Sequence, residues 1–241
     1  MASTRELWGE TFSKDEIPPY PCPLCNRGTL HCVPDSFRQK ISRDVEEQLE
    51  TQWIDPPDAV HQFNLFLQCG IAKCGAIVSV QGDSQLVERD NREFVEDRYF
   101  YRLAPQGMYP APPLAAVPKD TPKLLKKEFE TAFALFWIDL GACANRLRII
   151  VEKILDHQRV PAARDLATRI ASFKNSEPDH ATMFDALRFV GNIGSHEGKA
   201  SRDTVLDCFE LLQEAIGELF DQRKSKLASM KQRIVNAKGR V

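Results

Sequence analysis

Four cysteines near the N-terminus have the spacing of metal ligands. They form a C-x2-C pair at residues 22–25 and a C-x4-C pair at residues 69–74. Gly28 lets the chain turn back over the first pair, and apolar residues predict a strand before the second pair, at 63–67, and another after it, at 76–81. Two such pairs, each joined to a strand, supply the thiolates of a tetrahedral structural zinc site. We therefore predict one Zn²⁺ bound by Cys22, Cys25, Cys69 and Cys74.

This zinc prediction leaves some alternatives open. The chain has seven cysteines, an odd number, and a reducing compartment keeps them as thiols rather than disulfides. The long segment between the two pairs leaves open whether all four sulfurs meet. His31 and Cys32 are nearby substitutes, and four free thiols are the alternative without a metal. A catalytic zinc is disfavoured, because four cysteine ligands leave no open coordination position.

A second candidate site is a polar stripe near residue 190. Arg188, Asn192 and His196 follow one another at four-residue intervals, so a continuous helix places all three on one face. A guanidinium, a carboxamide and an imidazole together could hold and cleave a phosphodiester. They could equally be the solvated side of a surface helix. In that case Gly191 and Gly194 allow a neighbouring helix to approach closely, and Asn192 and His196 brace the turn that follows.

An earlier helix offers two more candidate residues, Arg148 and Glu152. They lie at i and i+4 on its polar face, beside Asn145. Arg148 could stabilise the charge that develops on a phosphoryl group, a role that is also open to Arg188. The alternative for Arg148 and Glu152 is an ordinary ion pair along the helix surface.

The length and composition are those of an ordinary globular protein with two domains. The chain has 241 residues, of which 43% are hydrophobic and 27% are charged. A formal net charge of -2 argues against a nucleic-acid coat over the whole surface. No apolar run approaches the ~20 residues needed to cross a bilayer, and the first residues lack the apolar core of a signal peptide. We expect a cytoplasmic protein without a membrane partner.

We predict an α+β fold in which a small β-rich zinc-knuckle module precedes an all-α bundle. The module covers residues 1–104, with an inserted amphipathic helix whose apolar residues recur every four positions over 37–49, and a last strand near 98–103. Prolines crowd residues 105–121, which predicts an irregular linker. The helical bundle follows over residues 122–236.

The C-terminal end of the bundle is a basic tail. No acidic residue follows Asp221, whereas seven basic residues do: Arg223, Lys224, Lys226, Lys231, Arg233, Lys238 and Arg240. Such a run can neutralise the phosphates of RNA or DNA and make binding depend on salt. A solvated helix end, whose cations suit the helix dipole, is the alternative.

The helical half resembles a known family. The resemblance rests on Tyr109-Pro110 through Pro118, on Ala144-Asn145-Arg146-Leu147-Arg148 through Glu152, and on the segment Leu187-Arg188-Phe189-Val190-Gly191-Asn192-Ile193-Gly194-Ser195-His196. Together these segments resemble the Domain of Unknown Function 4145 family, over roughly residues 109–220. Cysteine knuckles like those at the N-terminus also occur with this family. The family looks like a branch of the HEPN superfamily, which implies a HEPN-like helical bundle.

The HEPN resemblance implies a homodimer and a place in prokaryotic defence or restriction systems. Catalytic members are metal-independent endoribonucleases with an arginine, a polar residue soon after it, and a histidine. Here Asn192 and His196 match the polar residue and the histidine, while Gly191 occupies the place of the arginine. In an active site, His196 would act as general acid or base, Arg188 or Arg148 would stabilise phosphoryl charge, and Asn192 would orient the groups.

Two functions follow from these residues and this resemblance. The first is a HEPN-like protein that binds nucleic acid or a partner protein within a defence system, without robust catalysis. The second is a metal-independent endoribonuclease that uses His196, and its need for a ribose 2′-hydroxyl would confine it to RNA.

Overall fold

The protein has an α+β architecture, as expected. The computed structural model describes residues 5–88, 99–197 and 200–238, without the side chains of 195–197 and 224. The chain forms two compact units: one comprises Met1–Pro113 with Phe133–Ile138, and the other comprises Leu114–Ala132 with Asp139–Val241. The first unit contains an antiparallel sheet, and the second is helical.

The sheet of the first unit is built around three long neighbouring strands. Its strands are β1 (Phe12–Ser13), β2 (Leu30–Cys32), β3 (Arg38–Lys40), β4 (Val60–Cys69), β5 (Ile77–Glu88) and β6 (Tyr99–Tyr109). Their order is β1-β6-β5-β4-β2, and β3 also pairs with β4. One face is apolar and buried through residues that alternate along the strands: Phe63, Leu65, Leu67, Val78, Val80, Leu103 and Met108. The register of each strand is therefore fixed by which residues must leave water.

Strand β6 continues into the segment for which we predicted an irregular linker. It runs to Tyr109 and includes Pro105, at a bulge where the register with β5 shifts between Gln81 and Gly82. A bulge interrupts the hydrogen-bonded ladder, so a proline is tolerated there. Gly82 is required at the same place, because a Cβ on it would lie 2.2 Å from the carbonyl oxygen of Ala104. The expectation of irregular structure from residue 105 onward was therefore wrong for residues 105–109.

The inserted helix is shorter than the periodicity predicted. Residues 38–40 form β3, and only Arg43–Glu50 form a helix, α1. Phe37 stacks on Phe63 with ring centroids 6.1 Å apart, so it packs against the sheet and not along a helix. The four-residue spacing over 37–49 arises from two successive elements, and the prediction of one helix there was wrong.

An aromatic cluster completes the core of the first unit. Trp8 packs against Tyr20 at 5.5 Å and against Trp137 at 6.3 Å between ring centroids, and Tyr20 meets Trp137 edge-on at 5.7 Å. Phe136 joins them, 5.4 Å from Trp137. All four side chains are buried. Because Phe136 and Trp137 lie beyond the predicted linker, the first unit includes residues from both sides of it.

Six helices follow in the described part of the chain, and they form the predicted helical half. They are α2 (Lys123–Ile138), α3 (Leu140–His157), α4 (Leu166–Phe173), α5 (Pro178–Glu197), α6 (Arg202–Asp221) and α7 (Arg223–Asn236). Helix α2 buries an apolar stripe that consists of Leu125, Phe129, Phe133 and Phe136. Side-chain oxygens of Asp139, Asp165 and Ser201 cap α3, α4 and α6 by accepting from backbone N–H groups. Helix α3 packs chiefly against α5.

One carboxylate joins α2 to α3 in the second unit. Glu128 accepts a hydrogen bond from Arg146 Nη1 at 2.8 Å and another from Lys153 Nζ. Its side chain is only 14% exposed. Lys153 and Arg146 lower the pKa of Glu128, because both favour the ionised form.

None of the helices in the described part of the chain is long and apolar enough to cross a membrane.

Candidate functional site

The two cysteine pairs form two similar knuckles. In the first, the N–H of Cys22 donates to the carbonyl of Gly28 at 2.8 Å, and Asn26, directly after Cys25, has a left-handed φ of 51°. In the second, Gly75 directly follows Cys74 with a left-handed φ of 56°. Each knuckle therefore reverses the chain just after its second cysteine, which turns both thiols of the pair to one side.

Sheet pairing brings the two knuckles together. Leu30, just beyond the first knuckle, pairs with Cys69 across β2 and β4. Gly28 has to be a glycine, because a Cβ at that position would lie 2.5 Å from Cys69 Sγ. Gly28 was predicted to let the chain turn back over the first pair, and its N–H donates to Cys25 Sγ at 3.4 Å. The space where its Cβ would stand is taken by the sulfur of the other knuckle.

The four predicted sulfurs meet in one cluster. Cys22, Cys25, Cys69 and Cys74 have their Sγ atoms all within 4.8 Å of one another. Cys22 Sγ lies 3.8 Å from Cys74 Sγ, and Cys25 Sγ lies 3.8 Å from Cys69 Sγ. A tetrahedral ion with metal–sulfur bonds of about 2.3 Å separates its sulfurs by about 3.8 Å. The cluster therefore has the dimensions and the donor set of a four-thiolate metal site.

The electrostatics of the cluster favour a cation at its centre. The backbone N–H groups of Arg27 and Gly28 lower the pKa of Cys25 to about 6. At Cys69 the N–H of Ile71 also lowers the pKa, but desolvation and the neighbouring thiols outweigh it and raise the value to about 12. Four thiolates this close repel one another, so a divalent cation between them is what allows all four to ionise.

The other candidate ligands and cysteines lie apart from the cluster. His31 is exposed and its Nε2 lies 3.0 Å from Thr29 Oγ1, and the exposed Cys32 donates to the carbonyl of Val33. Cys143 and Cys208 are buried in the helical unit, and burial raises the pKa of both thiols, that of Cys208 to about 12. They are core residues of that unit.

The predicted polar stripe lies on α5, and its arginine is paired within the same helix. Arg188 Nε donates to Asp185 Oδ1 at 2.8 Å, and its guanidinium carbon stands 4.1 Å above the ring of Phe189. Asn192 is exposed. The backbone of His196 belongs to α5, but its side chain is outside the described residues.

Arg148 and Glu152, the candidate residues on α3, form an ion pair along the helix, which was one of the two interpretations of their spacing. Arg148 Nη1 donates to Glu152 Oε1 at 2.6 Å, and its Nε donates to Asn145 Oδ1 at 3.3 Å. The stem of Arg148 lies against α5, because a Cβ at Gly191 would be 2.7 Å from Arg148 Cβ. Arg148 and Arg188 are thus each engaged by a carboxylate of their own helix.

Small residues allow α3 and α5 to touch through their backbones. A Cβ at Gly194 would lie 2.9 Å from both Ala144 Cβ and the carbonyl oxygen of Gly141, and one at Gly191 would lie 3.0 Å from the carbonyl oxygen of Ala144. The prediction that Gly191 and Gly194 permit a neighbouring helix to approach closely is confirmed. The position where the ribonuclease signature requires its arginine therefore has no room for a side chain.

This helical region matches a known family profile over residues 130–234, that of "Domain of unknown function (DUF4145)". We call residues 130–234 the DUF4145 domain after this match. Residues 10–106, which contain the cysteine cluster, match a second profile, "Domain of unknown function (DUF8608)". No curated protein and no solved structure matches the chain.

The DUF4145 domain also contains a groove that the sequence did not suggest. It lies beside α5 and α6, has a volume of about 430 Å³, and is lined by Asp179, His180, Thr182, Met183, Ala186, Leu211 and Glu214. His180 is buried, and its Nδ1 lies 2.9 Å from Glu177 Oε2. The spacing of Glu177 and His180, one helical turn, is the signal that could have indicated this pair.

Most of the basic tail lies on the last helix, α7; Lys238 follows this helix, and Arg240 lies outside the described residues. Apart from Lys224, the side chains of α7 are described, and all of them are exposed. Three apolar residues follow one another at i, i+3 and i+7: Leu227, Met230 and Ile234, which are 52%, 44% and 48% exposed. Lys231 flanks this stripe on one side, and Lys226 and Arg233 flank it on the other.

Proposed function

We propose that this protein binds nucleic acid without cleaving it, through the cations of α7, and that its cysteine cluster holds a structural zinc ion. The observation that carries the binding proposal is α7, an exposed helix whose charged residues are all basic. Cations on an exposed helix can contact successive phosphates without displacing a packed side chain. Lys226 would exchange its 2.5 Å ion pair with Asp221 for a phosphate.

The distribution of charge supports this role for α7. The whole chain has a formal net charge of -2, although seven Lys and Arg residues and no acidic residue follow Asp221. The preceding residues are therefore acidic in sum, so the positive charge is concentrated in the C-terminal segment. This contrast directs a nucleic acid towards the C-terminal helix.

The ribonuclease alternative is less well supported by the geometry. Gly191 occupies the place of the signature arginine, and Arg148 and Ala144 fill the space that its side chain would need. Arg188 is held by Asp185 and Arg148 by Glu152. Each guanidinium would have to leave a carboxylate before it could stabilise a phosphoryl group. These contacts support a binding role for the DUF4145 domain.

The apolar stripe of α7 supports a second candidate function, docking of a partner protein. Leu227, Met230 and Ile234 form the i, i+3, i+7 pattern with which amphipathic helices enter grooves. The resemblance to HEPN-like proteins adds that such a partner belongs to a prokaryotic defence system and that the protein is a homodimer. Neighbouring genes that encode a nuclease or a helicase would support the first point, and a dimeric mass in solution the second.

Zinc is the metal that we propose for the cysteine cluster. Four thiolates in a tetrahedral arrangement suit Zn²⁺ or iron, and a closed four-cysteine site assigns the ion a structural role. Bound zinc would tie the two knuckles together across β2 and β4. One equivalent of zinc per chain in freshly purified protein supports this proposal. Iron, seen by its visible absorption, or less than half an equivalent of any metal overturns it.

Binding to labelled RNA and DNA across a salt series tests the proposed function. The variant replaces Lys226, Lys231 and Arg233 of α7 with Gln; the control replaces three exposed lysines elsewhere, Lys123, Lys127 and Lys174, with Gln. We expect the α7 variant alone to bind more weakly and its salt slope to fall by roughly 2 to 3. Equal slopes for both triple variants would overturn the role of α7.

Cleavage is tested on the same samples. Labelled RNA is incubated with the protein and EDTA, and the products are examined for cyclic-phosphate ends. We expect intact RNA from both the wild type and His196→Ala. Cleavage by the wild type that His196→Ala abolishes would establish the ribonuclease instead.

A further inference from the structure

The sheet of the first unit has an exposed face opposite its core, which we call the outer face. Cross-strand partners share a face, so the register defines its rows: Arg38, Asn64, Gln81 and Gly107 in one row, Phe66, Ser79 and Tyr109 in the next, and Gln68 with Ile77 beyond. A further row consists of Lys40, Gln62 and Asp83. The last row consists of Val60, Gln85 and Arg102. All these residues lie in the first unit.

Two aromatic rings project from the outer face at one level. Phe66 is 49% exposed and Tyr109 is 79% exposed. They lie on β4 and β6, and only Ser79 of β5 separates them, so their backbones are about 10 Å apart. Ile77, also exposed, is the diagonal neighbour in the next row. Exposed rings on a sheet, separated by a small residue, leave their flat faces open to a flat ligand.

Amide side chains surround these rings and are not needed by the core. Asn64 and Gln68 are exposed on β4, and Gln81 lies over Gly107, where a Cβ would be 3.3 Å from Gln81 Nε2. Amides present a donor and an acceptor in one plane, which is the pattern that the edges of bases require. The face therefore combines stacking surfaces with hydrogen-bonding groups.

The charge on the outer face is positive, although the chain as a whole is acidic. Arg38, Lys40 and Arg102 are exposed there. Arg38 donates to the backbone carbonyls of Asp35 and Phe37, and Arg102 donates to Gln85, so these bonds do not neutralise either cation. The carboxylate of Asp83 in the same rows accepts from Gln106 Nε2 at 2.5 Å. Three cations against one carboxylate favour a polyanionic ligand.

We propose that the outer face binds a short stretch of single-stranded nucleic acid, with bases stacked on Phe66 and Tyr109 and phosphates near Arg38 and Lys40. This inference rests on the proposed nucleic-acid-binding function and narrows its ligand. A duplex keeps its bases stacked on each other, whereas a single strand can present base faces to aromatic rings. The ligand class is therefore single-stranded RNA or DNA.

The test measures binding of the full-length protein to labelled oligouridylate, to oligothymidylate and to a hairpin duplex. The variants Phe66→Leu and Tyr109→Leu keep an apolar side chain but remove the ring. Trp53→Leu is the control, because Trp53 is exposed outside the sheet. We expect the wild type to prefer single strands, and each ring variant to lose roughly tenfold in affinity for them while duplex binding stays unchanged. The control should match the wild type.

Stacking has a readout of its own, which separates it from a general loss of structure. A 2-aminopurine base in the single strand is quenched when it stacks, so we expect quenching by the wild type and by Trp53→Leu, and its loss in Phe66→Leu. Equal affinity for single strands and duplex, with no effect of either ring, overturns this inference; if the α7 variant then still weakens binding, the proposed function stands. Ring dependence without α7 dependence overturns only the role of α7. No binding to any probe overturns both.

Discussion

Gly191 of α5 lies directly against Arg148 of α3, so close that a Cβ at position 191 would stand 2.7 Å from the Cβ of the arginine. This contact explains two features at once. It makes glycine obligatory in the middle of a helix, where it otherwise costs stability. It also fixes the stem of Arg148, whose guanidinium then reaches Glu152 and Asn145.

Gly191→Ala is expected to destabilise the protein by about 1–3 kcal/mol, because the added methyl group overpacks the α3–α5 contact. Gly217→Ala is the matched control. Among the described residues, no atom outside its own helix backbone and chain neighbours lies within 4 Å of a Cβ at this second helical glycine, so the substitution should stabilise by about 0.5–1 kcal/mol. Urea unfolding followed by circular dichroism measures both. A Gly191→Ala protein as stable as the wild type would contradict the close contact.

Cys25→Ser is expected to abolish stoichiometric metal binding and to destabilise the first unit by several kcal/mol, because a structural metal site is coupled to folding. Cys32→Ser, which changes an exposed cysteine outside the cluster, should keep the metal and the stability of the wild type. Elemental analysis and thermal unfolding with and without a strong chelator measure the two effects. Retention of a full equivalent of metal by Cys25→Ser would argue against the four-thiolate site.

Glu128→Gln is expected to cost about 1–3 kcal/mol at neutral pH, because Arg146 and Lys153 lose their shared carboxylate. The pKa of Glu128 is lowered in the folded protein, and the hydrogen bond from Lys153 is the largest cause. The stabilisation that ionised Glu128 gives the folded protein is therefore fully present above the unfolded pKa of about 4.3. It is lost as the pH falls through the lower pKa of the folded protein.

The difference between wild type and Glu128→Gln should accordingly shrink below about pH 4. Glu130→Gln, an exposed position on the same helix, should stay within about 0.5 kcal/mol of the wild type. Urea midpoints measured from neutral to acidic pH give both comparisons. A difference that grows on acidification would exclude the ion-pair explanation.

Trp137→Ala is expected to destabilise the first unit by about 3–5 kcal/mol, because Trp137 is buried against Trp8, Tyr20 and Phe136. Trp53→Ala, which removes an exposed tryptophan, should cost less than about 0.5 kcal/mol. Urea unfolding followed by circular dichroism measures both losses. Equal stability of the two variants would contradict this account of the cluster.

The sequence predicted best those features that one short segment determines. The spacing of the cysteine pairs indicated the metal ligands, and the four sulfurs do meet. The close approach at Gly191 and Gly194 was also predicted, because a glycine inside a helix costs stability and is favoured where a neighbouring backbone leaves no room for a Cβ.

The sequence failed where two elements together determine the result. Phe37 and Leu49 look like one helical face, but Phe37 belongs to the sheet through Phe63, a partner distant in sequence. Pro105 looks like a linker residue, and only pairing with β5 shows that a bulge accommodates it. The outer face was not anticipated for the same reason, since Phe66 and Tyr109 become neighbours only through the register of three strands.

At the junction between α6 and α7, the backbone conformation of a single residue sets the direction of the basic helix α7. Gln222 adopts the left-handed conformation, with φ 49° and ψ 43°, between helices that end at Asp221 and begin at Arg223. A non-glycine residue costs about 1–2 kcal/mol there, so glycine would favour the turn, whereas valine would favour one uninterrupted helix from Arg202 to Asn236. The orientation in which α7 presents its cations is thus adjustable by one substitution that alters neither its charge nor its apolar stripe.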